Sequence, residues 1–518
     1  MPETGITKIF KVEKISYGNK EPIAALATPL GESALALVRI SGGGNSCKEG
    51  QGALELLAKV FSRPGKLLSS PGNTVIHGWI ADQGVKIDEV MISVYRAPRS
   101  YTGEDGADIS CHGGIAAVKA VMEVLKKAGF REALPGEFSF RAFMNGKLDL
   151  TRSESVMELV SAKTNKAREQ AVRRLAGVLE SEIKSIKADL MEVLAGTEIY
   201  LDYSEDEFFA RGQNGADDEE SGMSDEENTL SDEEAGRLPE RHLAEEAAGR
   251  LRALSRLWQQ ERIYTEGALA VLAGRPNAGK SSLFNYLVRE DRSIVTDTPG
   301  TTRDWIEAQI IMEDIPFRLV DTAGLKEIDT GEAERIGIER SFELLDKADL
   351  VLYVIDGAKG ITGEDMEFLS RFKYTNGENE NSHKPVLVLW NKADLARPPE
   401  SCGAEYSGQF LAVSARTGEG ISDLIHAAAG LLGKAAPGSL QELHGQNAAG
   451  PGTLRQKELI DAALNLVEEA LDLSSRGEAL DIIAPLFRQA VNSLGEITGE
   501  VSSADILEVM FSRFCVGK

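Results

Sequence analysis

The sequence predicts a multidomain protein of α/β plus α class, in which an inserted α/β domain interrupts a discontinuous helical domain behind an N-terminal α/β domain. Three observations carry that prediction. A glycine-rich loop, GRPNAGKSS at 274–282, stands between an apolar strand-like run, Ala268 to Ala273, and a helix-like run, Ser282 to Val288. The segments on either side of this region carry apolar residues at helical spacing. The first part of the chain instead reads as short strands separated by glycine-rich turns.

Composition sets the outer limits. A chain of 518 residues is too long for one core and suggests about three domains. No apolar run reaches the roughly 18–20 residues needed to span a bilayer, so no membrane contact is expected. The leading MPETGITKIFKVEK has no apolar stretch of the secretory kind, and its acidic residues disfavour an organelle transit peptide. A cytoplasmic protein is expected. The four cysteines, Cys47, Cys111, Cys402 and Cys515, are too scattered for a disulfide framework or a zinc cluster. A net charge of −25 argues against a generally basic, sequence-blind nucleic-acid binder but leaves room for a local basic patch.

After a variable extension over 1–21, residues 22–150 read as a separate α/β domain. Ile23 to Ile40 is strand, turn, strand; Val75 to Ile80 and Glu89 to Tyr95 are further strands; Ile115 to Ala128 is a helix. Ser41 to Gly44 and His112 to Gly114 read as glycine-rich turns. Cys111 and His112 are adjacent, which is poor geometry for a shared metal. The helical domain is expected over 151–265 and again over 434–518. Between its halves the AAPGSL and NAAGPG segments act as breakers, and Leu454 to Leu473 and Glu478 to Leu494 resume helical spacing. Residues 202–234 hold fourteen acidic residues and one Arg, a net charge of −13. An acidic disordered insert over 204–236 follows from that composition, most simply a tolerated surface insertion.

The inserted domain, 266–433, carries nucleotide motifs in order. The backbone of Asn277, Ala278, Gly279, Lys280, Ser281 and Ser282 turns its N–H groups towards a phosphate chain; Lys280 reaches the outer phosphates and Ser281 offers a hydroxyl to Mg²⁺. DTAG follows the apolar run Phe317 to Val320, placing Asp321, Thr322, Ala323 and Gly324 at a strand exit, where Asp321 can hold Mg²⁺ through water and the Gly324 N–H can sense a γ-phosphate. NKAD, that is Asn391, Lys392, Ala393 and Asp394, follows the strand Val386 to Trp390. Asp394 can accept from the ring N–H and exocyclic amine of guanine, which adenine lacks there. Ser414, Ala415 and Arg416 follow Phe410 to Val413 and offer a backbone contact to the base oxygen. Between the first two motifs, Thr296, Asp297, Thr298, Pro299, Gly300, Thr301 and Thr302 form a loop expected to order around a γ-phosphate, with Thr302 a second hydroxyl on Mg²⁺. A Ras-like P-loop GTPase domain binding GTP and Mg²⁺ is the reading. Where some GTPases have a water-orienting Gln, this chain has Leu325, so another group must orient the water.

The whole chain from about residue 22 onward resembles the MnmE (TrmE) family of GTPases that modify the wobble uridine of certain tRNAs. The resemblance rests on IAALATP and ALVRISG near the start, SYTGEDGADISCHGG at 100–114, LPGEFSFRAFMNGKLDLT at 134–151, the GRPNAGKSSLFN loop, ERIGIER at 334–340 and the closing FCVGK. It implies an N-terminal domain that binds a one-carbon tetrahydrofolate and forms a homodimer, with folate contacts at Arg39, Glu104, Lys147 and Lys518. It implies a flavoprotein partner, MnmG, which carries FAD, in a heterotetramer that adds an aminomethyl-type group at C5 of the uridine. It also implies Glu334 as the residue that orients the attacking water, Cys515 as a thiol acting on the uridine ring, and K⁺ held by Asn277 with Thr296, Thr298 and Thr301 when two GTPase domains meet. The competing classes, a ribosome-assembly GTPase or a signalling switch, would lack folate binding and the FCVGK end.

Overall fold

The computed structural model describes Tyr17 and residues 21–42, 51–213, 238–289, 306–321, 344–373, 385–398, 410–433, 449–501 and 504–517. They divide into two compact units, residues 1–157 with 491–518, and residues 158–490.

The first unit is built on a six-stranded sheet in the order β3-β4-β5-β2-β1-β6, with β1 Ile23–Leu26, β2 Ser33–Ser41, β3 Thr74–Asp82, β4 Val85–Tyr95, β5 Gly106–Gly113 and β6 Arg131–Glu132. All neighbours are antiparallel except β1 and β6. Burial alternates along β4, so that Val90, Ile92 and Val94 face a core covered by the helices Ala53–Ala58, Pro64–Ser69 and Ile115–Ala128. This is the period-two pattern of a sheet with one packed face.

β5 corrects the expectation of a glycine turn at His112 to Gly114, because strand runs through Gly113. The glycines serve close pairing instead: a Cβ would lie 2.5 Å from the Ile40 carbonyl oxygen at Gly106, and 2.3 Å from that of Ser33 at Gly113. Adjacent strand residues point to opposite faces. Cys111 is therefore buried, its thiol pushed up to about 11 by burial, while the exposed His112 ring meets Asp88 at 2.6 Å through Nδ1.

Residues 491–518, the C-terminal end, group with this unit. The helix Ala504–Ser512 packs on the helix Glu137–Met144. Phe511 and Phe514 join Leu150, Phe140 and Phe143 in a mostly aromatic cluster.

In the second unit, the helix Val178–Gln213 buries Leu179, Ile183, Ile186, Leu190 and Val193. That spacing by fours and threes forms one stripe. The helix contacts Arg241–Thr265, which in turn contacts Leu454–Ser475. Helix also continues through 202–213, the start of the acidic stretch expected to be disordered. Residues 202–211 contain neither Gly nor Pro, and extending an existing helix is far easier than starting one. The remainder of that insert, 214–237, lies outside the described residues.

Arg174 is fully buried between these helices. Its Nε donates to Glu158 at 2.7 Å, and its Nη1 donates to Glu261 at 2.8 Å and to the Gly450 carbonyl at 3.3 Å. Glu261 precedes the chain's entry into the inserted domain and Gly450 follows its exit, so one guanidinium ties the two crossings. Burial pushes the Glu261 carboxyl up, although Arg174 opposes the shift. Arg174→Met should lower unfolding stability by about 3–5 kcal/mol in urea titrations, because it leaves two carboxylates without their cation. Adding Glu261→Gln should recover part of the loss.

The inserted domain has a second six-stranded sheet, ordered β12-β11-β10-β7-β9-β8, with β7 Ala268–Ala273, β8 Ile306–Met312, β9 Ile315–Asp321, β10 Leu350–Asp356, β11 Val386–Asn391 and β12 Phe410–Ala412. Every pair is parallel except the β8–β9 hairpin. All six residues of β7 are buried. One face packs on the helices Lys280–Arg289 and Ile421–Gly433, the other on Leu344, Leu345 and the helix Gly363–Lys373. Parallel strands covered on both faces are continuous apolar runs for this reason.

Candidate functional site

Four strands of the second sheet, β7, β9, β11 and β12, end at the same edge, and the predicted nucleotide motifs follow these ends. Ligands of open parallel sheets bind at this place. The loop after β7 needs unusual backbone conformations. Gly274 has φ 136°, Asn277 φ 65° and Gly279 φ 92°. A Cβ at Gly274 would lie 2.3 Å from the Val354 carbonyl oxygen, and one at Gly279 only 2.2 Å from Asn391 Nδ2. Both glycines are therefore required by close approach as well as by φ.

Lys280 opens the following helix and is buried. Its Nζ donates to the carbonyl oxygens of Gly274 at 2.8 Å and Arg275 at 3.0 Å, which bends the ammonium back over the loop. The next residue, Ser281, donates its hydroxyl to Asp321 at 2.7 Å. Asp321 ends β9 and is buried. A hydroxyl and a carboxylate meeting beside a phosphate-type loop are hard oxygen donors and suit Mg²⁺. The third predicted donor, Thr302, lies outside the described residues.

The residues predicted to recognise the base are interlocked. Asn391 Nδ2 donates to the Ala278 carbonyl at 2.8 Å, and its Oδ1 accepts from the Ala415 N–H at 3.2 Å. One side chain thus ties the glycine-rich loop to the segment after β12. Lys392, at φ 63°, reaches the Asn277 carbonyl at 3.1 Å and Asp356 at 2.8 Å. Ala393 donates its N–H to the Val413 carbonyl at 3.0 Å. Asp394 accepts from Ser414 Oγ at 2.7 Å and pairs with Arg416 at 3.2 Å. These two contacts hold its carboxylate in place. Ser282 is exposed on the first turn of its helix, and Asn277 is exposed on the loop.

Several predicted residues lie outside the described residues: Thr296, Asp297, Thr298, Pro299, Gly300, Thr301, Thr322, Ala323, Gly324, Glu334 and Lys518. Sequence reading did not single out Asp356, which anchors Lys392; its only signal is an acidic residue at the end of a continuous apolar strand. It also missed Asp314 at the tip of the β8–β9 hairpin. That carboxylate accepts from the backbone N–H groups of Asn165 and Lys166, both at 3.1 Å, and so caps the helix Asn165–Leu175.

In the first unit, Arg39 on β2 forms a two-point pair with Asp108, Nε at 2.9 Å and Nη2 at 3.3 Å, and donates Nη1 to the Gly517 carbonyl at 3.4 Å. Its guanidinium stacks over Tyr101 at 5.5 Å. Burial works against its charge, but Asp108 more than compensates and its pKa is raised. Glu104 accepts from Ser41 at 2.8 Å and Arg141 at 3.0 Å. Arg141 also pairs with the fully buried Glu137, which Arg131 contacts too. Burial alone would raise the Glu137 pKa; these two cations and the Leu134 N–H lower it overall. Lys147 donates to the Pro98 carbonyl at 3.0 Å. Its stem comes within 3.3 Å of where a Gly103 Cβ would stand, next to Glu104. The structure thus brings Arg39 to the tail and Lys147 beside Gly103. Cys515 is exposed and its carbonyl accepts from the Gly136 N–H at 3.3 Å.

Among the described residues no group of three or more His, Cys, Asp or Glu side chains could hold a metal, and no helix is long and apolar enough to cross a membrane.

Comparison with known proteins adds the following. Residues 150–515 match the model of the MnmE helical domain, and residues 22–147 match that of the GTP-binding protein TrmE N-terminus. A tRNA modification GTPase MnmE of Treponema denticola is 39% identical across 98% of this chain and 100% of its own length. That of Carboxydothermus hydrogenoformans is 38% identical across 96% of this chain and 100% of its own. Among solved structures, Aquifex aeolicus Era bound to GDP and AlF4⁻ is 24% identical, covering 38% of this chain and 66% of that one, with a TM-score of 0.26.

Proposed function

The chain belongs to the MnmE family of tRNA modification GTPases, and on that premise we propose that it hydrolyses GTP to drive modification of C5 of the wobble uridine in certain tRNAs. The observation that carries the nucleotide half of this reading is the convergence of Lys280, Ser281, Asp321, Asn391 and Asp394 at one edge of the sheet. Asp394 reads the guanine edge, Asn391 holds the loop to the base segment, and Lys280 meets the outer phosphates. Mg²⁺ would be held by Ser281 and Thr302, with Asp321 behind, and would neutralise charge on the β- and γ-phosphates. Glu334 orients the attacking water in place of the Gln that Leu325 displaces.

Potassium is the proposed source of the further positive charge at the β–γ bridge, with Asn277 the described member of its shell and Thr296, Thr298 and Thr301 the others. GTP turnover should be several-fold or more faster in KCl than in NaCl at equal ionic strength, a preference that neutral oxygen shells can produce. Asn277→Ala should abolish the difference. Equal wild-type rates in the two salts would remove K⁺ from the mechanism.

In the first unit, Arg39, Glu104, Lys147 and Lys518 are the proposed contacts of a one-carbon tetrahydrofolate. Support comes from a permanent guanidinium stacked on Tyr101 and hydrogen-bonded to the tail, the type of group that binds a glutamyl carboxylate. Cys515 is the proposed thiol acting on the uridine ring. The working assembly is proposed to be a homodimer with the flavoprotein MnmG, which holds FAD. Nucleoside analysis of tRNA from cells lacking this chain should show the wobble uridine without its C5 substituent. Fully modified tRNA in those cells would refute the reading.

A further inference from the structure

Tyr17 stands ahead of the region that matches the TrmE N-terminus, which begins at residue 22. It is nonetheless 7% exposed. Its ring centroid is 5.0 Å from that of Phe140 and 6.5 Å from that of Phe511. Phe511 continues the contact to Phe514 at 5.2 Å. The ring is therefore part of the cluster that seats the end of the chain.

The polar contact is more specific. The Tyr17 hydroxyl donates to the Pro135 carbonyl at 2.8 Å. The N–H of Gly136 donates to the Cys515 carbonyl at 3.3 Å. Pro135 C=O and Gly136 N–H are the two ends of one peptide group, so Tyr17 holds one end and the tail holds the other. A hydrogen bond accepted at the carbonyl polarises the amide and strengthens its N–H as a donor. Only glycine fits here: φ is 67°, and a Cβ would lie 2.5 Å from the Phe511 carbonyl oxygen. The Tyr17 phenol is pushed up to about 12 by burial, and then by the charges of Glu137 and Glu508. It remains a donor throughout the physiological pH range.

We propose that Tyr17 is a positioning residue for Cys515, fixing the tail backbone through the Pro135–Gly136 peptide and the Phe140–Phe511–Phe514 rings. The part played by Cys515 rests on the function proposed above; the seating of the tail does not. The consequence is that a residue outside the matched family region sets the geometry of the modification site.

The test uses the full chain with Tyr17→Phe and Tyr17→Ala. Tyr17→Phe keeps the ring and loses the hydroxyl bond, so hydrogen exchange at the Gly136 amide should quicken about fivefold, the factor expected for one hydrogen bond. Tyr17→Ala also loses the ring contacts, and exchange at Gly136 and across 511–517 should quicken on the order of tenfold or more. GTP turnover should be native in both. In the reaction reconstituted with the flavoprotein partner, kcat for uridine modification should fall in the order Tyr17→Phe, then Tyr17→Ala, with KM for tRNA unchanged. Native exchange rates in Tyr17→Ala would overturn the clamp. Loosened exchange with native kcat would overturn the positioning role. A native chain that modifies no tRNA would instead strike the functional reading, while the exchange result would still decide the clamp.

Discussion

Lys280→Ala should reduce GTP hydrolysis by on the order of 10²–10³ fold, the usual cost of removing one preorganised group that faces charge developing in the transition state. The geometry explains why a neighbour cannot substitute. Two loop carbonyls, Gly274 and Arg275, bind the Lys280 ammonium at 2.8 and 3.0 Å and hold it over the loop. The residue is also buried, so its charge acts where water screens little. Single-turnover phosphate release, with GTP bound beforehand, separates this loss from weaker binding. Hydrolysis at the native rate would mean that the loop does not hold the triphosphate.

Asp394→Asn should weaken GTP binding by roughly 10²–10⁴ fold, from two charge-assisted hydrogen bonds of about 1.5–3 kcal/mol each. The change should also redirect specificity. An aspartate accepts from the ring N–H and the exocyclic amine of guanine; an asparagine can accept one and donate one, which matches xanthine, whose oxygen replaces that amine. Xanthosine triphosphate should then bind the variant better than GTP does. The carboxylate is already oriented by Ser414 at 2.7 Å and Arg416 at 3.2 Å. Ser414→Ala should therefore give a smaller loss of the same kind, without the switch to xanthine. Competition between GTP and xanthosine triphosphate for a fluorescent guanine nucleotide measures both. An unchanged preference for GTP in Asp394→Asn would place the base elsewhere.

These two residues were legible because their neighbours in sequence do the work. The phosphate loop, the Asn–Lys–Ala–Asp turn and the strands before them are short continuous segments, and their residue types follow from local requirements of φ, donor and acceptor. The helical spacing of the segment that holds Leu179, Ile183, Ile186, Leu190 and Val193 was legible for the same reason. β5 was not, because its glycines looked like turn formers; only the approach of Ser33 and Ile40 shows them to be strand residues that admit a neighbouring backbone. The opening of the acidic stretch misled for another reason. Charge density described the segment as a whole, but its first residues continue an existing helix.

The amino-acid sequence by itself determined the three kinds of domain, the nucleotide motifs and their order along the chain, and the family to which the chain belongs. Each is written in residues close together in sequence. Only tertiary structure decided that Arg174 ties the entry and exit of the inserted domain, that Asp314 caps the helix starting at Asn165, and that Tyr17 and Cys515 grip opposite ends of one peptide group. Such contacts join groups from 87 to nearly four hundred positions apart, as when Tyr17 meets Pro135 118 residues on. Their energy comes from burying a charge or a donor against one specific partner, and no local pattern of residue types encodes which partner that is.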